Sequence, residues 1–181
     1  MAAQDIAAAW HRVESVLRRR PQAGLHDDAP ATARWDGGTR IVASHANGMQ
    51  VLTDMPGELG GSGDQVTPGW LLRAGFASCT ATRIAMAAAA ERIELDALEV
   101  LASSRSDTRG LLGMADAGGE PVYAGPSDVQ MLVRISAHGV SSERLRALVN
   151  ESYRCSPMAC AMQDAVPVAL RIEANADVNA N

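Results

Sequence analysis

The sequence predicts an α+β domain in which hairpin-linked antiparallel strands are segregated from the helices. Two stretches carry that expectation. From Ala31 to Met55, three short strand-like pieces are divided by Asp36-Gly37-Gly38 and by Ala46-Asn47-Gly48. Asp-Gly and Asn-Gly supply the positive φ angles that tight hairpins need, so these pieces form a meander. Further on, Thr67 to Arg92 reads TPGWLLRAGFASCTATRIAMAAAAER, a helical run of roughly 35 to 40 Å at 1.5 Å per residue. At 181 residues the chain suits one main domain. Residues 1–30 form a helical extension and linker, 31–176 the domain, and 177–181 a polar tail.

Taken in order, residues 5–20 read as an amphipathic helix, with Ile6, Trp10, Val13 and Leu17 at helical spacing. Arg18-Arg19-Arg20 complements its C-terminal dipole, Pro21 stops it, and a linker runs through Pro30. After the meander, PGELGGSGDQVTP is a glycine-rich loop without the Lys-Ser/Thr pair of a phosphate-binding loop. Thr67 caps the long helix and Pro68 opens it, because proline lacks an N–H that would have no partner there. The helix is apolar almost all round, which predicts burial. Alanine, glycine and serine before Cys79, and Ala87 to Ala90, allow another backbone to approach closely.

A strand leaves the helix from Ile93, a long turn-rich connection follows, and Val129, Met131, Val133 and Ile135 mark a second, half-buried strand. Ser141 or Ser142 caps a helix bearing Leu145, Leu148 and Val149, which ends near Cys155-Ser156-Pro157. Val166, Val168, Leu170 and Ile172 then alternate as a final strand, and the chain is polar from Asn175 onward. One such sheet covers the long helix poorly, so a second subunit is expected and the chain reads as a homodimer.

Several function classes are disfavoured. A net charge of −5 and a pI near 5.3 give no attraction to phosphate backbones, so nucleic acid is not an expected partner. Arg73 and Arg83 lie inside the long helix, which argues against a membrane span. The odd number of cysteines, three, and an N-terminus without a basic leader predict reduced thiols in a cytoplasmic protein. No Cys-x-x-Cys pair supports a zinc site, and Gly60-Gly61-Ser62-Gly63-Asp64 is not a nucleophile elbow. No metal or organic cofactor is expected.

The chemistry left is that of thiols. Cys79 lies about three turns into its helix, where the dipole no longer favours a thiolate. Arg83, at i+4 on the same face, is the nearest cation in the helix and a candidate to lower the thiol pKa. Cys79 reads equally as a small buried hydrophobe. Cys155 follows Arg154 where the chain turns and a thiol is partly exposed, whereas Cys160 reads as packing. Trp70 and Phe76, at helical spacing, read as core rather than as a ligand pocket.

The chain resembles the OsmC/Ohr family of thiol-dependent hydroperoxide reductases over roughly Ala31 to Ala174. The resemblance rests on ELGG at Glu58 to Gly61, on TPGWLLRAGFASC ending at Cys79, and on CSPM beginning at Cys155. It implies an intertwined homodimer in which antiparallel sheets wrap long central helices. It also implies that Cys79 attacks an organic or lipid hydroperoxide and becomes a sulfenic acid. Cys155 resolves it as a disulfide, and an external dithiol reduces both. The chain departs from the family pattern at two places. Gly69 stands where peroxidase members carry a glutamate, and Glu58 where OsmC-like members carry an arginine. Arg40, at the start of the second strand, is the substitute close to the Ohr-like arginine position. The alternative implied is a non-enzymatic dimer that binds a small apolar or electrophilic ligand, or a thiol redox sensor.

Overall fold

The computed structural model describes residues 3–164 and 166–174. Helix α1 (Ala3–Arg19) and a short 3-10 turn (Pro21–Gly24) precede an antiparallel meander of β1 (Thr32–Gly37), β2 (Arg40–Ser44) and β3 (Gln50–Thr53). The Asp-Gly turn lies in the β1–β2 hairpin, where Gly37 and Gly38 both take positive φ. The glycine-rich loop follows, with a 3-10 turn at Gly57–Leu59, and delivers the chain to α2 (Pro68–Ala90). Next come β4 (Leu95–Arg105), a short α3 (Thr108–Leu111) and β5 (Ser127–Ala137), which pairs antiparallel with β4. Helices α4 (Ser142–Arg154) and α5 (Pro157–Gln163) complete the elements. This is the α+β arrangement expected from the sequence.

The caps explain the boundaries. Thr67 Oγ1 accepts a hydrogen bond from the Trp70 amide at 3.2 Å, and Ser141 Oγ accepts from the Arg144 amide at 3.2 Å. The core forms where the C-terminal half of α2 lies between the β4–β5 sheet and α4. Ile84, Ala87, Ala88 and Leu148 are buried there, with Leu98 and Val100 of β4 and Val133 and Ile135 of β5 packed against them. The alternation read in β5 is what turns those two side chains inward. On another side of α2 lies α1, whose Trp10 ring sits beneath the Arg83 guanidinium.

Two expectations are corrected. Helix α2 is only partly buried: Trp70 is 47% and Leu72 37% exposed, because among the described residues the meander packs closely on no helix. The alternating segment from Val166 to Ile172 is irregular, with Val168 88% and Leu170 84% exposed. A strand needs a partner edge for its backbone groups, and the described part of this segment pairs with neither sheet. The polar tail from Asn175 onward lies outside the described residues.

Candidate active site around Cys79

The loop before α2 is held by a polar network that sets where the helix begins. Asp54, directly after β3, is only 2% exposed. Its carboxylate accepts from Thr39 Oγ1, from the Met55 amide at 2.8 Å, and from Ser62 through both the amide at 2.9 Å and Oγ at 2.6 Å. The Asp54 amide donates to the Val66 carbonyl at 3.1 Å, one residue before the Thr67 cap. Asp54 therefore ties the β1–β2 turn, the end of β3 and the glycine-rich loop to the first turn of α2. Arg40 joins from the outside: its guanidinium is 2.7 Å from Asp64 and 3.5 Å from Asp54.

The hydrogen bonds from Ser62 and then Thr39 hold the Asp54 carboxyl well below the usual carboxylate range, and Ser62 and Arg40 lower that of Asp64. The sign follows by linkage. A carboxyl with a depressed folded-state pKa contributes stability above its unfolded value of about 3.9, and loses it as pH falls toward the folded value. The melting temperature should fall below about pH 5. Asp54→Asn should lower it at pH 7 and flatten its acid dependence, which thermal melts of both proteins between pH 7 and 3 will read out.

Cys79 is half-buried in the middle of α2, and it faces the junction of α4 and α5. Phe76, one turn earlier, is 3% exposed and meets Tyr153 of α4 with ring centroids 6.3 Å apart and planes tilted by 51°. The side chain from the junction that reaches Cys79 is Ser156, whose Oγ lies 3.5 Å from the sulfur. The same hydroxyl is 3.3 Å from Thr80 Oγ1, and both Ser156 and Thr80 are fully buried. Sequence reasoning missed Ser156 as well as Asp54. Its available signal was the Ser-Pro pair that opens α5, which reads as a helix cap.

The other expected site residues are more dispersed. Cys155, at the C-terminal cap of α4, is an exposed free thiol one residue from Ser156. Cys160, expected in the packing, is exposed too, with Sγ 3.5 Å from the Arg154 carbonyl, because α5 turns that face outward. Arg83 stacks 4.7 Å from the centroid of Trp10, and its Nη1 is buried without a hydrogen-bond partner among the described residues. Arg40 stays in the loop network. An apolar groove of about 720 Å³ runs along α1, lined by Ile6, Trp10, Val13, Leu17 and Met86, and Cys79 is not in its wall. No group of His, Cys, Asp or Glu among the described residues is arranged to hold a metal. No helix among them is long and apolar enough to cross a membrane.

The family model described as OsmC-like protein matches residues 61–171. The chain belongs to the OsmC family. The match includes the end of the glycine-rich loop, α2 with Cys79, the β4–β5 pair and the α4–α5 junction, and leaves α1 outside. Among solved structures, an OsmC-like protein from Mycoplasma pneumoniae superposes with a TM-score of 0.64 at 16% identity, over 78% of this chain and 91% of that one. An organic hydroperoxide resistance protein OsmC from Legionella pneumophila gives 0.56 at 21% identity, over 77% and 91%. An organic hydroperoxide resistance protein from Elizabethkingia anophelis, with thiocyanate bound, gives 0.57 at 19%, over 78% and 92%. At these identities the likeness is one of fold. No curated protein matches the sequence.

Proposed function

We propose that this OsmC-family protein reduces organic hydroperoxides, with Cys79 as the attacking thiol. The observation that carries the reading is the half-buried Cys79 sulfur, in the family-matched helix, with a buried hydroxyl within hydrogen-bond distance. Two structural neighbours are organic hydroperoxide resistance proteins. The Cys79 thiolate attacks the outer oxygen of R–O–OH: the S–O bond forms, the O–O bond breaks, and the alkoxide takes a proton and leaves as the alcohol. The Cys155 thiol then attacks the sulfenic sulfur, water leaves, and a disulfide joins the two. An external dithiol restores both thiols by exchange.

Cys155 is suited to resolution by its exposure and by its place next to Ser156, which touches Cys79, and this reading requires the turn between α4 and α5 to open so that the two thiols meet. Of the two candidate cations, this reading takes Arg83, one helical turn after Cys79 on α2. Its Nη1 has no acceptor among the described residues, whereas the Arg40 guanidinium is engaged by Asp64 and Asp54. The working unit in this reading is a homodimer. The meander, which among the described residues packs closely on no helix and not on the β4–β5 sheet, the exposed Trp70 and Leu72 of α2, and the exposed apolar segment from Val166 to Ile172 are the surfaces a second copy would cover.

With a dithiol reductant present, the protein should consume cumene hydroperoxide at least about tenfold faster than hydrogen peroxide, the discrimination an apolar substrate contact supplies. Consumption of neither would remove the peroxidase reading. A non-enzymatic, ligand-binding dimer would then be the account to pursue.

A further inference from the structure

We propose that Ser156 is a thiolate-stabilising residue, with its hydroxyl donating to Cys79 Sγ and Thr80 completing the relay behind it. Ser156 precedes Pro157 at the start of α5, where a serine ordinarily turns its Oγ onto its own helix's second or third amide. Here it makes no such cap bond, although its backbone is extended (φ −82°, ψ 118°) as a cap residue's is. The hydroxyl instead points into the protein, 3.5 Å from Cys79 Sγ and 3.3 Å from Thr80 Oγ1, with Ser156 fully buried. Forgoing the cap bond leaves an α5 amide without it, so the turn of the side chain is compensated at Cys79 and Thr80.

The proton count of the pair explains the arrangement. A hydroxyl has one proton to donate and two lone pairs to accept with. When Cys79 is a thiolate, Thr80 donates to Ser156 and Ser156 donates to the sulfur, so both hydroxyls are satisfied. When Cys79 is a thiol, its S–H donates to Ser156 and Ser156 donates to Thr80. The relay serves either state by reversing direction, but its O–H to S⁻ form is charge-assisted and the stronger of the two. The same position has a second consequence: a thiol introduced at residue 156 would stand near enough to Cys79 to close a disulfide with it.

This inference deepens the peroxidase reading but is tested without peroxide. The probe is iodoacetamide alkylation of Cys79 as a function of pH, followed by mass spectrometry in a Cys155→Ala, Cys160→Ala background. Ser156→Ala should raise the pH of half-maximal reactivity by about one unit, a tenfold loss of thiolate at fixed pH below the midpoint. Ser156→Thr, which keeps the hydroxyl, should restore most of the shift. In the same background, Ser156→Cys should close a disulfide to Cys79 under the thiol oxidant diamide. An unchanged midpoint in Ser156→Ala would overturn the proposal, as would failure of the introduced thiol to cross-link. A shifted midpoint in a protein that ignores organic hydroperoxides would leave Ser156 in this role and remove the peroxidase reading alone.

Discussion

Gly61→Ala should destabilise the protein by about 3 kcal/mol, lowering the melting temperature by about 6 to 12 °C. A Cβ at position 61 would lie 1.7 Å from the Met55 carbonyl oxygen and 2.8 Å from Asp54 Oδ1. The first obstacle is backbone, so the contact cannot be relieved by a rotamer change. The loop would have to lift, taking with it the Ser62 amide and hydroxyl that hold the buried Asp54 carboxylate. A buried carboxylate that loses its donors is costly, so the two penalties add. Gly57→Ala is the matched control. It lies in the same loop with nothing within 4 Å of the new Cβ, and should melt close to wild type. Because Asp54 also binds the backbone next to the α2 cap, circular dichroism melts of the Gly61 variant should show the whole fold weakened rather than a frayed loop.

The parts legible in the sequence were those with local causes. Asp-Gly in the first hairpin, Thr67-Pro68 at the start of α2 and the alternation in β5 each act within a few residues, and each sits where its chemistry requires. Asp54 could not be read this way, since its partners Thr39 and Ser62 lie 15 and 8 residues away and only the folded loop brings them together. The segment from Val166 to Ile172 departs from expectation for a related reason: alternation tells which side chains share a face, but not whether the segment pairs with a strand edge.

The helix around Cys79 was legible, and the side chain that meets it was not. Successive residues on a helix point about 100° apart, so near the end of α4 the step from Cys155 to Ser156 decides which side chain faces α2. The extended Ser156 backbone before Pro157 turns the serine inward and leaves the cysteine in solvent. Arg83 was read as a neighbour of Cys79 on one helix face. Its stacking on Trp10 depends on α1, which no local pattern near Cys79 reveals.

Cys79→Ser should abolish organic hydroperoxide reduction, with turnover falling about a thousandfold or more, because no other thiol faces the buried Ser156–Thr80 pair. The fold should survive, since serine is close to cysteine in size and the site already holds hydroxyls. The measurement that bears most directly on the account is a single turnover. Fully reduced wild type and Cys79→Ser each receive one equivalent of cumene hydroperoxide, are quenched with an alkylating agent, and are mapped by mass spectrometry. The account predicts one alcohol released per wild-type chain, with Cys79 oxidised and recovered in a disulfide with Cys155, and no reaction in the variant. Thiols that stay free in the wild type, or equal consumption by the variant, would contradict it.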